Sequence, residues 1–191
     1  MPQEPESLFV QKDYSKILAA CYELTEVLAS AVLVIAILFS FAMRFAGVVG
    51  GSMLPTLVDQ DWLAITAHVP EPQRGSIVII SPRTNRFQEP LVKRVIAVAG
   101  DEVDIRDGQV WVNGVAINEP YLIADIETMP AQSHDSDIDY PVIVPNNAVF
   151  VLGDNRGGST DSRHSAIGFV RTDDVLGRVL FRLWPNPQRV A

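Results

Sequence analysis

Three short stretches of this 191-residue chain hold side chains that could do chemistry together. The first, GSMLPTL at residues 51–57, places Ser52 directly after two glycines. Gly50 and Gly51 carry no side-chain bulk, so another backbone can approach and amide N–H groups are left for a developing oxyanion. A serine hydroxyl is a weak nucleophile without a base. Of the histidines, His68 precedes a proline-rich turn, His134 lies in an acidic stretch and His164 follows a dense polar run, so lysine is the better candidate. In LVKRVIAVAG, residues 91–100, strand alternation puts Leu91, Val95 and Ala97 on the face of Lys93, and Arg94 on the other with Val92 and Ile96. Burial among apolar neighbours disfavours an ammonium ion and lowers a lysine pKa toward the range a general base needs, which arginine cannot reach. The third stretch, GDNRGGSTDSR at residues 153–163, follows the strand-like AVFVL. There an Asp161–Arg163 ion pair can brace the loop, and the Ser159 hydroxyl can orient a neutral amine by accepting one of its hydrogens. Taken singly, these are a loop serine, a strand lysine and a well-ordered polar turn.

The elements that must position these residues differ sharply along the chain. Val27 to Met43 runs without a charge, Arg44 closes it, and Phe45 to Val49 extends the apolar stretch. At about 1.5 Å per residue the uncharged run spans roughly 25 Å, which with its extension fits one transmembrane helix, assigned to residues 27–46. A buried core helix is the alternative, but such helices rarely run this long without polar residues. Residues 1–26 mix Glu4, Glu6 and Asp13 with Lys12 and Lys16, unlike the basic start of a cleavable targeting signal, so the helix reads as a retained anchor. Lys12 and Lys16 favour a cytoplasmic N-terminus, while Arg44 on the other side nearly balances them.

From residue 47 to the end the pattern is that of an all-β domain of antiparallel sheets, which makes the chain mostly β with one N-terminal helix. EVDIR-DG-QVWV-NG-VAIN, residues 102–118, predicts a three-stranded meander whose two-residue turns take positive φ. Further strands are expected over 62–66, 76–80, 91–99, 142–144, 148–152 and 175–183. Residues 125–140 are acidic and polar and read as a surface excursion. Asp135, Asp137 and Asp139 imitate the start of a calcium loop, yet the turn glycine and terminal glutamate are missing, so no metal is assigned. With 48% apolar residues the chain can build a core, and its net charge of −8 with no dense basic run argues against a nucleic-acid surface. Cys21 is the only cysteine, which excludes an internal disulfide framework and any cysteine metal cluster.

The three stretches, in this order and spacing, resemble the boxes of type I signal peptidases, the Ser/Lys proteases that remove signal peptides from exported preproteins. GSMLPTL looks like the nucleophile box, VKRVIAVAGD the lysine box and GDNRGGSTDSR the closing box; LGRVLFRLWPNP, residues 176–187, is similar to the final strand. The resemblance runs from about residue 28 to the end. It implies Ser52 as nucleophile, Lys93 as general base, Ser159 bonding the lysine amine, and Asp154, Asp161 and Arg163 ordering the site, without metal or organic cofactor. It also implies preproteins as substrates and a single-pass protein of the cell membrane, N-terminus cytoplasmic and catalytic domain on the outer face. Two departures stand out. Gly50 replaces a serine whose hydroxyl helps bind the oxyanion in one branch of the family, so the backbone N–H groups at Gly50 and Ser52 are expected to serve. Ala97-Val98-Ala99 replaces a common Gly-Leu-Pro. Two other readings compete: a related Ser/Lys self-cleaving protease, which would need a DNA-binding segment where this chain is apolar, and a membrane-anchored β-domain that only binds partners, which the intact Ser52, Lys93 and Ser159 disfavour.

Overall fold

Between Glu6 and Ala42 there is neither proline nor glycine, and those residues form one uninterrupted helix of 37 residues, α1. The computed structural model describes residues 6–66, 71–82, 89–124, 126–131 and 138–190. Within α1, Lys16–Ile37 is long and apolar enough to cross a membrane. Apolar side chains along it stand exposed, Val32 at 65% and Ile35 at 53%, which is not how a core helix is placed. The helix begins well before Val27 and stops earlier than residue 46, because Met43–Gly47 forms strand β1 and pairs with Trp62–Thr66, β2. An apolar run that passes from helix to strand keeps its hydropathy, so hydropathy alone overran this boundary.

Residues 43–191 form a second unit. Its remaining strands are β3 (Ile77–Ile80), β4 (Leu91–Val98), β5 (Glu102–Arg106), β6 (Gln109–Val112), β7 (Val115–Ala116), β8 (Val142–Ile143), β9 (Ala148–Leu152), β10 (Val170–Arg171), β11 (Val175–Trp184) and β12 (Gln188–Arg189). Every pairing is antiparallel. An eight-stranded sheet runs β1-β2-β11-β3-β4-β9-β10, with β12 joined to β11, and a four-stranded sheet runs β7-β6-β5-β8. The meander turns as its dipeptides require, with positive φ at Asp107, Gly108, Asn113 and Gly114.

All four residues of β3 are buried, which follows from apolar cores on both faces. Ile77 and Ile79 pack with Met53, Leu57, Leu63 and Val179, whereas Val78 and Ile80 pack with Val95, Val149, Val151 and Val170. In β4, Arg94 lies opposite Ile77 and Lys93 opposite Val78, so the two basic residues address different faces, as alternation predicts. That alternation fails further on. A register shift between Val95 and Ala97 inserts an extra residue, so Ile96 and Ala97 join one cluster with Phe150 and Leu152, and Ala97 leaves the Lys93 face.

Part of the expected surface excursion is packed. Thr128 is 1% exposed, its N–H donates to the Gly108 carbonyl, and the Tyr140 ring meets Phe150 edge to face. Asp125 and residues 132–137, with His134, Asp135 and Asp137, lie outside the described residues, as does His68.

Candidate active site

Ser52 sits in the turn between β1 and β2, and a loop far along the chain holds it in place. The Asn155 N–H donates to the Ser52 carbonyl at 3.0 Å, and Asn155 Nδ2 donates to the Gly51 carbonyl at 3.0 Å. This close stitching depends on Gly153: a Cβ there would stand 2.5 Å from the Ser52 carbonyl oxygen and 2.2 Å from Ser159 Oγ. Lys93 reaches the same place from β4. Its Nζ lies 2.9 Å from Ser52 Oγ and 3.0 Å from the Val92 carbonyl oxygen.

Lys93 is 2% exposed and forms no ion pair among the described residues. Desolvation by burial lowers its pKa from 10.5 to about 8, against the opposing fields of Asp161 and Asp154. Both carboxylates are engaged elsewhere. Asp154 accepts from Arg94 Nε at 2.9 Å and Arg94 Nη2 at 2.8 Å, and also from the Thr56 hydroxyl, which ties the nucleophile box to the closing box. Asp161 accepts from Arg163 Nε at 2.8 Å and Nη2 at 2.9 Å, and from the Gly153 N–H at 3.0 Å. The expected Asp161–Arg163 brace is therefore present, while Arg94, opposite Lys93 in facing, is the residue that secures Asp154.

Two expectations for this site need correction. The Gly50 N–H donates to Asp59 Oδ1 at 2.8 Å, so it is not free for an oxyanion. Gly50 adopts a φ of +88°, which closes that turn and suits glycine, and the Ser52 N–H is the backbone donor that remains beside the Ser52 hydroxyl. Among the described residues the Ser159 hydroxyl is buried without a hydrogen-bond partner, so the anticipated bond to the lysine amine is not made; Ser52 and the Val92 carbonyl take that role.

Beside Ser52 and Lys93 opens a cleft of about 370 Å³, walled by Ala46, Val49, Ile65, Ile79, Leu91 and Leu176. A larger cleft of about 490 Å³, lined by Arg74, Arg178 and Arg189, contains neither residue, so size does not mark the site. Among the described residues no group of three or more His, Cys, Asp or Glu is arranged to hold a metal ion.

A model of the family "Signal peptidase, peptidase S26" matches residues 21–184. The chain belongs to that family. It is 35% identical over 173 residues to a Synechocystis protein named "Probable signal peptidase I-2", covering 87% of this chain and 74% of that one. It is 33% identical over 163 residues to signal peptidase I S of Bacillus subtilis, covering 80% and 86%, and 34% identical over 165 residues to signal peptidase I of Bacillus caldolyticus, covering 83% and 88%. A crystal structure of a signal peptidase I from Enterococcus faecalis aligns with 58% of this chain and 97% of that one at 30% identity, with a TM-score of 0.45. The chain is thus a serine endopeptidase of the signal-peptide-removing type.

In this signal peptidase family member the fold brings Ser52 and Lys93 together, as the order of the stretches implied, but much of what holds them was not anticipated. Asn155 and Thr56 lie inside the quoted boxes, and their polarity beside glycine and proline was the available signal. Arg156 also lies in the closing box, whereas Glu119 and Tyr121, outside all three stretches, had no local signal. Arg156, 3% exposed, donates to both Glu119 oxygens, to the Thr128 hydroxyl and to the Gly153 carbonyl, which only the tertiary fold brings together.

Proposed function

We propose that the chain is a membrane-anchored signal peptidase in which Ser52 is the nucleophile and Lys93 the general base. The observation that carries this reading is a buried amine with no ion pair among the described residues, 2.9 Å from a serine hydroxyl, beside an apolar cleft. Neutral Lys93 takes the Ser52 proton as Oγ attacks the scissile carbonyl carbon. The oxyanion is received by the Ser52 N–H, and the C–N bond breaks as Lys93 returns the proton to the leaving amine. Lys93 then draws a proton from water, which hydrolyses the ester and frees Ser52.

The substrate is an exported preprotein lying extended in the cleft, with small residues before the cut as an A-x-A-like cleavage site supplies. Helix α1 anchors the enzyme in the cell membrane, with the start of the chain on the cytoplasmic side and residues 43–191 on the outer face, where exported substrates arrive. In detergent micelles the full chain should cut a model preprotein at its signal junction, the cut being mapped by mass spectrometry. Ser52→Ala, Lys93→Ala and Lys93→Arg should each lose activity by about 10³-fold or more while remaining folded. Wild-type kcat/KM should rise through an acid limb with a midpoint near pH 8, where Lys93 loses its proton. Full activity in either lysine variant would refute the dyad.

A further inference from the structure

The carboxylates whose fields reach Lys93 are held by two separate arginines, and a single segment bridges the two systems. Arg94 presents its edge to Asp154 and the Gly75 carbonyl, and its face to Tyr121, with the guanidinium carbon 3.8 Å from the ring centroid. The Tyr121 hydroxyl donates to Glu119 at 2.5 Å, and Glu119 is gripped by Arg156. The Arg156 carbonyl in turn accepts from Arg163, the partner of Asp161. Tyr121 is the uncharged link that closes this arc. Burial and the neighbouring Glu119 push its hydroxyl above the ordinary tyrosine range, so it stays a protonated donor. A desolvated guanidinium over a ring face is held by both its charge and its plane.

We propose that Tyr121 is a positioning residue for the peptidase reaction: its ring keeps Arg94 in register with Asp154 and so sets how much of that carboxylate's charge reaches Lys93. This rests on Lys93 being the base. Among the described residues the charged groups around that amine are Asp154 and Asp161, each paired with its arginine, with Arg44 and Glu89 on the walls of the cleft. If Arg94 loses its platform, Asp154 is less completely neutralised, the ammonium form of Lys93 gains, and the acid limb of the rate profile moves to higher pH.

The test is the pH dependence of preprotein cleavage by the full chain in micelles. Tyr121→Leu should move the acid limb up by about half to one pH unit and lower kcat about three- to ten-fold near neutrality, with KM little changed and activity recovering at higher pH. Tyr121→Phe, which keeps the ring, should keep the wild-type limb. A role confined to stability would lower activity equally at every pH; an unmoved limb in Tyr121→Leu, or the same displacement in Tyr121→Phe, would overturn the proposal. Should the leucine variant fail to fold, Tyr121→Met gives the same comparison with an unbranched side chain and no ring. Lys93→Ala, run in parallel, separates the two ideas: retained activity there refutes the dyad itself, whereas an inactive Lys93→Ala with an unmoved Tyr121→Leu limb refutes only the role of Tyr121.

Discussion

Lys93 and Arg94 are adjacent in β4 and each is 2% exposed, yet the fold treats their charges in opposite ways. Arg94 meets a carboxylate through two parallel hydrogen bonds and an aromatic face besides, so its charge is fully housed. Lys93 meets a hydroxyl and a carbonyl, and the two nearby carboxylates are already occupied. Arginine keeps its proton under any such arrangement, so burying it requires a partner; lysine can shed its proton, so withholding the partner produces a base. The contrast separates residues that hold the site from the residue that is kept uncomfortable in it.

Removing the partner of the housed charge should have the largest effect. Asp154→Ala leaves Arg94 buried and uncompensated, and should destabilise the domain by about 3–5 kcal/mol in denaturant melts. In whatever fraction folds, the acid limb should move down, since Asp154 raises the Lys93 pKa. Gly153→Ala strikes the seam between the two regions. A Cβ 2.5 Å from the Ser52 carbonyl oxygen should cost about 1–3 kcal/mol and displace Ser52, which on the proposed mechanism lowers kcat about 10²-fold. A normal rate in that variant would mean that the seam is looser than its contacts imply.

The smallest effect has the opposite sign. Lys93 has a pKa of about 8 when folded and 10.5 as its ordinary value, so between those pH values the unfolded chain binds more protons and stability rises with pH. Below about pH 8 the penalty is fully present. Lys93→Met should therefore be more stable than wild type by about 1–3 kcal/mol at neutral pH, with the gain shrinking toward pH 10. Thermal melts across that range measure it, and a destabilised Lys93→Met would break the comparison.

What could be read along the chain was local. Asp107-Gly108 and Asn113-Gly114 announce their turns because a positive φ is written into the dipeptides, and the three boxes are contiguous. What escaped depends on long separations or on small breaks in period. Asp59 captures the Gly50 N–H from across a turn, Asp154 finds Arg94 sixty residues away, and the shift after Val95 moves Ala97 to another cluster. No periodicity encodes these pairings, because each arises when strands distant in sequence become neighbours. The end of α1 was overrun for a related reason: Met43–Gly47 is a strand only because β2 is there to pair with it.

The place of β11 in the large sheet bears on when this enzyme comes into being. It lies between β2 and β3, pairing with both, and its Val179 shares a core with Met53 and Leu57 of the Ser52 turn. During synthesis, a chain that has already emerged with Ser52, Lys93 and the whole closing box still faces a gap at the centre of its sheet until Val175–Trp184 is added. Order around the Ser52 turn thus waits on β11, and a nascent chain that already carries all three polar stretches lacks the strand that joins β2 to β3 until Val175–Trp184 takes its place.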